Sequence, residues 1–314
     1  MNPATRVLQQ PADLGRPASG ACLALGMFDG VHIGHQHLVR VLLDDARRLG
    51  VPAVVVTFDP HPLRVVRPDR APRLLQSLPQ RLRALAALGP DAILVVPFDE
   101  ALSRVDGADF IRTLADGFHH LRSVTVGESF QFGHDRSGDV PLLRRLGAAL
   151  GFGVNAVAPV RDDGQPVSST RVRTALREGR LDEVARLLGR PYSIAGTVVP
   201  GDRRGHALGF PTANLDVPER ELPPLGVYPA RLVVDGIRHD AVLNLGNRPT
   251  VDAAATVPRL EIHVLDFDGD LYGRELEVEF GARLRPEHRF ESLDALRAQI
   301  ARDVAAARGA LAGS

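Results

Sequence analysis

The chain has 314 residues, 38 basic (Lys+Arg) and 38 acidic, so it carries no overall basic field that would draw nucleic acid or an anionic membrane. Its 44% hydrophobic content is enough for two cores at this length and excludes disorder. Cys22 is the only cysteine, which rules out an intrachain disulfide and fits a reducing compartment. The first residues (Asn2, Pro3, Arg6, Gln9, Gln10, Pro11) lack a signal-peptide core, and no apolar run reaches spanning length, so a cytoplasmic protein is expected, with its oligomeric state left open.

Ala21-Cys22-Leu23-Ala24-Leu25 reads as a strand, and Leu38, Val39, Leu42, Ala46 and Leu49 recur at helical spacing after His35. Between them lies Gly26-Met27-Phe28-Asp29-Gly30-Val31-His32-Ile33-Gly34-His35, where a strand turns sharply into a helix. Free N–H groups and the positive end of the helix dipole meet at such a turn, and two imidazoles three residues apart can donate to one oxyanion. A zinc site is the weaker reading, because the chain has one cysteine and neither H-E-x-x-H nor C-x-x-C.

Strand and helix then alternate. Val54 to Thr57 is a strand, followed by a helix over Pro79 to Leu88; Ala92 to Val96 is a strand, with a helix from Gly107-Ala108-Asp109. Ser123 to Val126 is a strand, Val140 to Leu150 a helix, and Val154 to Ala158 a strand. This predicts a doubly wound parallel sheet, with ligands outside the carboxyl ends of the strands. His32, Asp59, His61 and Gly127 follow strands and would share that rim. No G-x-G-x-x-G follows the first strand, which argues against a dinucleotide fold. Thr57-Phe58-Asp59-Pro60-His61-Pro62 reads either as polar rim groups or as a proline-rich turn. Phe130 and Phe132, beside Gly127, Ser129 and Gly133, could be core or could line a slot for a planar ring. Ser168-Ser169-Thr170-Arg171-Val172-Arg173 opens a helix, where hydroxyls, N–H groups and an arginine suit a phosphate and a leaving pyrophosphate.

After Gly189-Arg190-Pro191 short strands dominate: Tyr192–Val199, Val227–Val234, Ala241–Leu245, Leu260–Leu265 and Glu275–Phe280, split by turns such as Val234-Asp235-Gly236. A small antiparallel barrel is expected, then a helix from Leu293 to Ala307 capped by Ser292. The boundary falls in 185–191, giving domains 1–187 and 188–314. Gly201, Gly205 and Gly209 surround basic residues in a loop able to wrap a phosphate chain, and Thr212 and Asn214 offer hard oxygens suited to Mg²⁺. Asn244, Glu261 and His263 alternate with apolar residues, so Glu261 and His263 share a sheet face, where a carboxylate could take a proton from an attacking hydroxyl.

The turn resembles the H-x-G-H motif of nucleotidylyltransferases, and SSTRVR resembles their S-S-T-x-x-R signature. In order, GMFDGVHIGH, TFDPHP, VGESFQFG, SSTRVR, LLGRPY, LGFPTAN, GVY, NLGNRPT, LEIHVLDFDGDLYG and LRPEHRF are similar to the bacterial bifunctional riboflavin kinase/FMN adenylyltransferase family from about Leu23 to Arg308. The resemblance implies phosphorylation of riboflavin to FMN in the second half and adenylylation of FMN to FAD, with pyrophosphate released, in the first. It implies riboflavin, FMN and ATP as partners and Mg²⁺ as the metal, held by Thr212 and Asn214 with Glu261 as base. His32, His35 and Arg173 are then catalytic for adenylylation. Gly26, Phe28, Asp29, Gly30, Asp59, His61, Gly127, Ser129, Phe130, Ser168, Ser169 and Thr170 become nucleotide or flavin contacts in the first half. In the second half these contacts are Gly201, Gly205, Gly209, Pro211, Asn244, Arg285 and Phe290.

Three residues depart from the family pattern. Ser129 stands where Asp or Asn is usual on the flavin side, His206 where Arg or Lys is usual, and Val251 where Phe is frequent. A kinase with lost adenylylation, or a flavin-binding regulator without turnover, are the alternatives. A class I aminoacyl-tRNA synthetase, raised by the literal HIGH, fails on the missing K-M-S-K-S and the neutral charge.

Overall fold

A computed structural model describes residues 5–15, 19–201, 209–248, 257–288 and 290–312. Contacts divide the chain into two units: residues 1–73 with 78–169, and 74–77 with 170–314. This division lies upstream of the 185–191 stretch where the composition changes. The two helices of residues 169–188 bury Val172, Ala175, Leu176, Leu181, Val184, Leu187 and Leu188, and cluster with the second unit.

The first unit contains β1 (Arg6–Leu8), β2 (Ala21–Leu25), β3 (Ala53–Asp59), β4 (Ala92–Pro97), β5 (Leu121–Gly127) and β6 (Gly153–Val157) in one sheet of order β1-β4-β3-β2-β5-β6. Every pairing is parallel, so each crossover needs a connection long enough for a helix. Those helices include α1 (Ile33–Leu49), α2 (Pro62–Val66), α3 (Leu78–Ala86), α4 (Glu100–Ser103), α5 (Gly107–Gly117) and α6 (Val140–Leu150). Alternate residues of β2 and β3 enter opposite cores: Leu23, Leu25, Val54 and Val56 pack with Ile111 and Leu143, while Cys22, Ala24, Ala53 and Val55 pack with Val39, Leu42 and Leu85. The sheet is therefore covered on both faces, as the alternation predicts. β1 escapes sequence reading, because three residues in a polar stretch become a strand only by pairing with β4. A small hairpin, β7 (Arg161–Asp162) and β8 (Gln165–Pro166), precedes α7 (Ser169–Arg177) and α8 (Leu181–Leu188).

The second unit contains β9 (Ser193–Val199), β10 (Ala213–Asp216), β11 (Gly226–Val234), β12 (Ile237–Arg248), β13 (Val257–Val264), β14 (Glu275–Phe280) and β15 (Arg285–Pro286). The order β12-β13-β10-β9-β14-β11 closes on itself through β11–β12, making a six-stranded antiparallel barrel with β15 added beside β14 along β11. Asp235 and Gly236, at φ +52° and +80°, give the tight turn that joins β11 to β12. Ala241, Leu243, Leu245, Leu260, Ile262 and Val278 are fully buried. The last helix, α9 (Leu293–Ala312), starts where the Ser292 hydroxyl accepts from Ala295 N at 3.1 Å, and its Val304 and Ala307 pack on Val227 and Val242.

At Gly196 a Cβ would lie 2.1 Å from the Asp216 carbonyl oxygen. Gly196→Ala should therefore lower stability by about 1–3 kcal/mol, the usual cost of forcing atoms into a filled space. A urea midpoint equal to that of the parent would show that β9 and β10 move apart freely.

Candidate functional sites, one in each unit

In the first unit the chain leaves β2 through a turn in which Phe28, Gly30 and Val31 take φ values of +53°, +85° and +42°. Left-handed backbone is natural for glycine but strained for a β-branched valine, so the surrounding fold imposes this turn. Val31 N donates to Phe28 O at 3.0 Å. His32 then acts as the N-cap of α1: its Nδ1 accepts from His35 N at 3.3 Å, which leaves its proton on Nε2. The two imidazoles stack at 3.6 Å with 17° between planes, and Phe28 meets His35 edge-on at 5.2 Å.

Gly34 packs closely under this stack: a Cβ there would sit 3.1 Å from the His32 ring, so a larger residue would press on it. Burial, then His32, then Arg81 hold the His35 pKa well below 6.5, so His35 is neutral at pH 7, and the His32 ring, whose Nδ1 accepts a hydrogen bond, is uncharged as well. Asp29 is buried, and its carbonyl oxygen accepts from Ser169 Oγ at 2.8 Å, which joins the turn to the first residue of α7. Gly26 lies against the Phe28 ring, and Phe28 itself is fully buried. Phe28 thus reaches the site through His35. Arg173 is buried on α7, Ser168 is half-buried and Thr170 is exposed.

Beside the turn lies a cavity of about 730 Å³, lined by Phe58, Phe98, Phe110, Phe130 and Phe132 with Arg67 and Arg136. Phe130 and Phe132 stack at 5.4 Å, so the pair serves as both core and cavity wall. The Gly127–Asp139 loop is held by reciprocal backbone bonds between Phe132 and Gly138, and by Gly133 and Gly138 approaching where a Cβ would collide with Gly107 and with the Phe132 ring. Gly127 is half-exposed; Ser129 is exposed and stands outside the cavity wall. His61 Nδ1 accepts from Leu63 N at 3.2 Å and caps α2.

Sequence reading missed Arg81, a buried cation on α3. It donates to Met27 O at 3.1 Å and Phe58 O at 2.9 Å, and lies 3.4 Å from Asp59 Oδ1. Its only signal is an arginine among the otherwise core-facing positions of a helix.

In the barrel, Asn214 on β10 lies directly opposite Glu261 on β13, and Glu261 lies opposite Asn244 on β12. Directly opposed residues project from one face, so register brings these three together. Leu260, Ile262 and Val264 fill the interior, which puts Arg259, Glu261 and His263 on the outer face. Arg259, also missed from sequence, has its Nε 3.0 Å from Glu261 Oε1 and 2.5 Å from Asn214 Oδ1. Alternation along β13 would have placed it beside Glu261. Gly201 passes so close that a Cβ would overlap the Asn214 amide.

Next to this row, Thr212 and Pro211 line a cavity of about 640 Å³ with Phe267, Asp268, Asp270 and Tyr272. His263 Nδ1 donates to Pro211 O at 2.8 Å. Gly209 is exposed at φ +84°. Gly205, His206 and Val251 lie outside the described residues. Arg285 pairs with Asp303, and Phe290 stands half-buried near it.

A family model described as FAD synthetase matches residues 16–171, and one described as riboflavin kinase matches residues 188–311. The bifunctional riboflavin kinase/FMN adenylyltransferase of Pseudomonas fluorescens is 44% identical over 301 residues, 95% of this chain and 96% of that protein. The chain belongs to this family. The Escherichia coli K12 member is 40% identical over 293 residues, 93% of each chain. A crystal structure described as a macrolide-efflux protein from Streptococcus pneumoniae superposes with TM-score 0.84 at 30% identity, covering 97% of this chain and 99% of that one. Among the described residues of this family member, no helix is long and apolar enough to cross a membrane.

The depressed pKa of His35 has a definite sign. On unfolding the imidazole regains a pKa near 6.5, so below that pH the unfolded chain binds the proton first. The stability that neutral His35 allows is complete above about pH 6.5 and is lost as pH falls toward its folded pKa. His35→Gln should flatten the fall of Tm over that window; an unchanged slope would mean that His35 is hydrated and titrates normally.

Proposed function

We propose that the chain makes FMN from riboflavin in its barrel and FAD from FMN in its α/β unit, using one ATP at each step. The observation that carries this reading is that each unit has its own built constellation: a neutral imidazole stack at a helix start in one, and an opposed carboxylate and amide in the other. The two chemical modules divide at residues 187/188, and the reading places both in the cytoplasm, in keeping with the lone buried Cys22.

For the kinase step, Glu261 takes the proton from the ribityl hydroxyl as that oxygen attacks the γ-phosphorus of ATP and ADP leaves. Thr212 and Asn214 fit the Mg²⁺ that arrives with ATP, since both offer neutral hard oxygens and line one cavity. The nucleotide's phosphates would supply the remaining ligands. Gly201, Gly209 and Pro211 shape the nucleotide loop, to which the family resemblance also assigns Gly205, while Asn244 and Phe290 face the flavin.

For adenylylation, an FMN phosphate oxygen attacks the α-phosphorus of a second ATP, and pyrophosphate leaves. His32, His35 and the N–H groups that start α1 donate to the developing charge, and Arg173 with Ser168, Ser169 and Thr170 holds the leaving pyrophosphate. Because the imidazoles are neutral, they act as hydrogen-bond donors and not as cations. Gly26, Phe28, Asp29 and Gly30 shape the nucleotide turn. The aromatic cavity, with Phe130 in its wall, takes the flavin ring, and the family resemblance assigns Asp59, His61, Gly127 and Ser129 to the same nucleotide and flavin site.

Glu261→Gln should lower FMN formation about 10²–10⁴-fold and leave FMN-to-FAD conversion intact. His32→Ala should do the converse, losing about 10²–10³-fold in FAD synthesis alone. Chromatographic separation of FMN and FAD from riboflavin, ATP and Mg²⁺ reads both; equal loss of both activities in either variant would sink the division of labour.

The family's usual carboxylate or amide at position 129 motivates a second test. Ser129→Asp or Ser129→Asn should lower the KM for FMN by roughly tenfold or less, the worth of about one net hydrogen bond. FMN-dependent pyrophosphate release at saturating ATP measures it, and an unchanged KM in both variants would mean that position 129 does not meet the flavin.

A further inference from the structure

We propose that Arg285 is a positioning residue for riboflavin phosphorylation: it fixes the Phe290 ring to the terminal helix and does not itself touch substrate. The inference rests on the assignment of Phe290 to the flavin made above. Register sets the distance first. Arg285 opposes Val227, Val227 opposes Asn244, and Asn244 opposes Glu261. Three strand spacings separate Arg285 from the base, about 14 Å across the sheet, so it is out of reach of the reacting oxygen.

Its donors are also committed. Nε lies 2.9 Å from Asp303 Oδ1 and Nη2 lies 2.7 Å from Oδ2, the bidentate fork that suits guanidinium and carboxylate. Nη1 donates to Pro286 O at 3.0 Å and to His288 Nδ1 at 3.2 Å. Of the five N–H groups of an arginine, one is left for anything else. That is poor equipment for gripping a phosphate.

What the cation does hold is a pair of rings. The guanidinium carbon lies 5.7 Å from the centre of Phe290, within the range of a cation–ring contact, and His288 lies 4.2 Å from the same ring. On the other side Asp303 is only 5% exposed and also accepts from Gln299 at 2.8 Å. The helix that carries Asp303 is itself seated by Val304 and Ala307 on Val227 and Val242. A rigid chain of contacts therefore runs from the outer face of the barrel through α9 and Arg285 to Phe290. Lysine could keep the charge there but could not form the fork.

The test measures riboflavin binding, through the vitamin's own fluorescence, together with KM and kcat for its phosphorylation by the full chain. Arg285→Lys and Asp303→Asn should each weaken binding and raise the KM for riboflavin roughly three- to thirtyfold with kcat little changed, the signature of lost ground-state positioning. Phe290→Ala should raise the KM as well, and Arg285→Lys added to it should have no further effect, because both act through one ring. A retained kcat reports that the barrel is folded. If Phe290→Ala leaves binding and KM at parental values, the assignment of that ring to the flavin fails and the proposal falls with it. If Phe290→Ala weakens binding while Arg285→Lys and Asp303→Asn are silent, lower kcat instead, or add fully to Phe290→Ala, the assignment stands and the positioning role is overturned.

Discussion

Residues directly opposed in a β-sheet have to project from the same face, and in the barrel that constraint carries the whole candidate kinase site. Asn214, Glu261, Asn244, Val227 and Arg285 form one continuous row across five strands. A slip of one residue in any pairing would turn a member of the row into the barrel interior, among Leu243, Leu245, Leu260 and Ile262. Burying an ionised Glu261 there would be far more costly than any contact it makes, so the apolar interior enforces the register that assembles the site. Packing specificity and chemical specificity are here the same interaction.

The α/β unit builds its site by another route. No register brings His32 to His35; helical spacing does, together with a cap that uses one nitrogen of the first ring to satisfy the backbone of the second. The close approach at Gly34 and the left-handed turn through Phe28 and Val31 frame a stack in which burial keeps His35 uncharged. A neutral donor pair beside free helix N–H groups favours an anion without the desolvation cost of a fixed cation. Arg81 supplies positive charge nearby while remaining tied to the carboxyl ends of β2 and β3 through Met27 O and Phe58 O.

Arginines do much of the positioning in both units. Arg81 ties strand ends together, Arg259 bridges a carboxylate and an amide, and Arg285 joins a helix to a ring. A planar fork with several donors can satisfy two or three acceptors in fixed directions, which suits it to holding neighbours at set angles. Arg177 does the same against Glu221, whose carboxylate it meets at 3.0 and 2.8 Å.

The sequence by itself determined the fold class and most of the elements. Helix Val140–Leu150 and strand Glu275–Phe280 have the bounds their residues predict, because Asp139 caps the first and apolar alternation defines the second. Motif order was enough to point to the family and to Glu261, Asn214, His32 and His35, since these residues carry their chemistry in local spacing. Strands β1 and β10 were not legible, being three and four residues long and made strands only by their neighbours. β12 runs beyond Ala241–Leu245 at both ends because pairing with β11 and β13 overrides its polar flanks. The role of Arg81, the bond from Arg259 to Asn214 and the pairing of Asp303 with Arg285 were decided by tertiary structure: these partners are 18 or more residues apart and only folding brings them within hydrogen-bond distance. Local spacing fixes what a residue can do, and long-range packing fixes what it is next to.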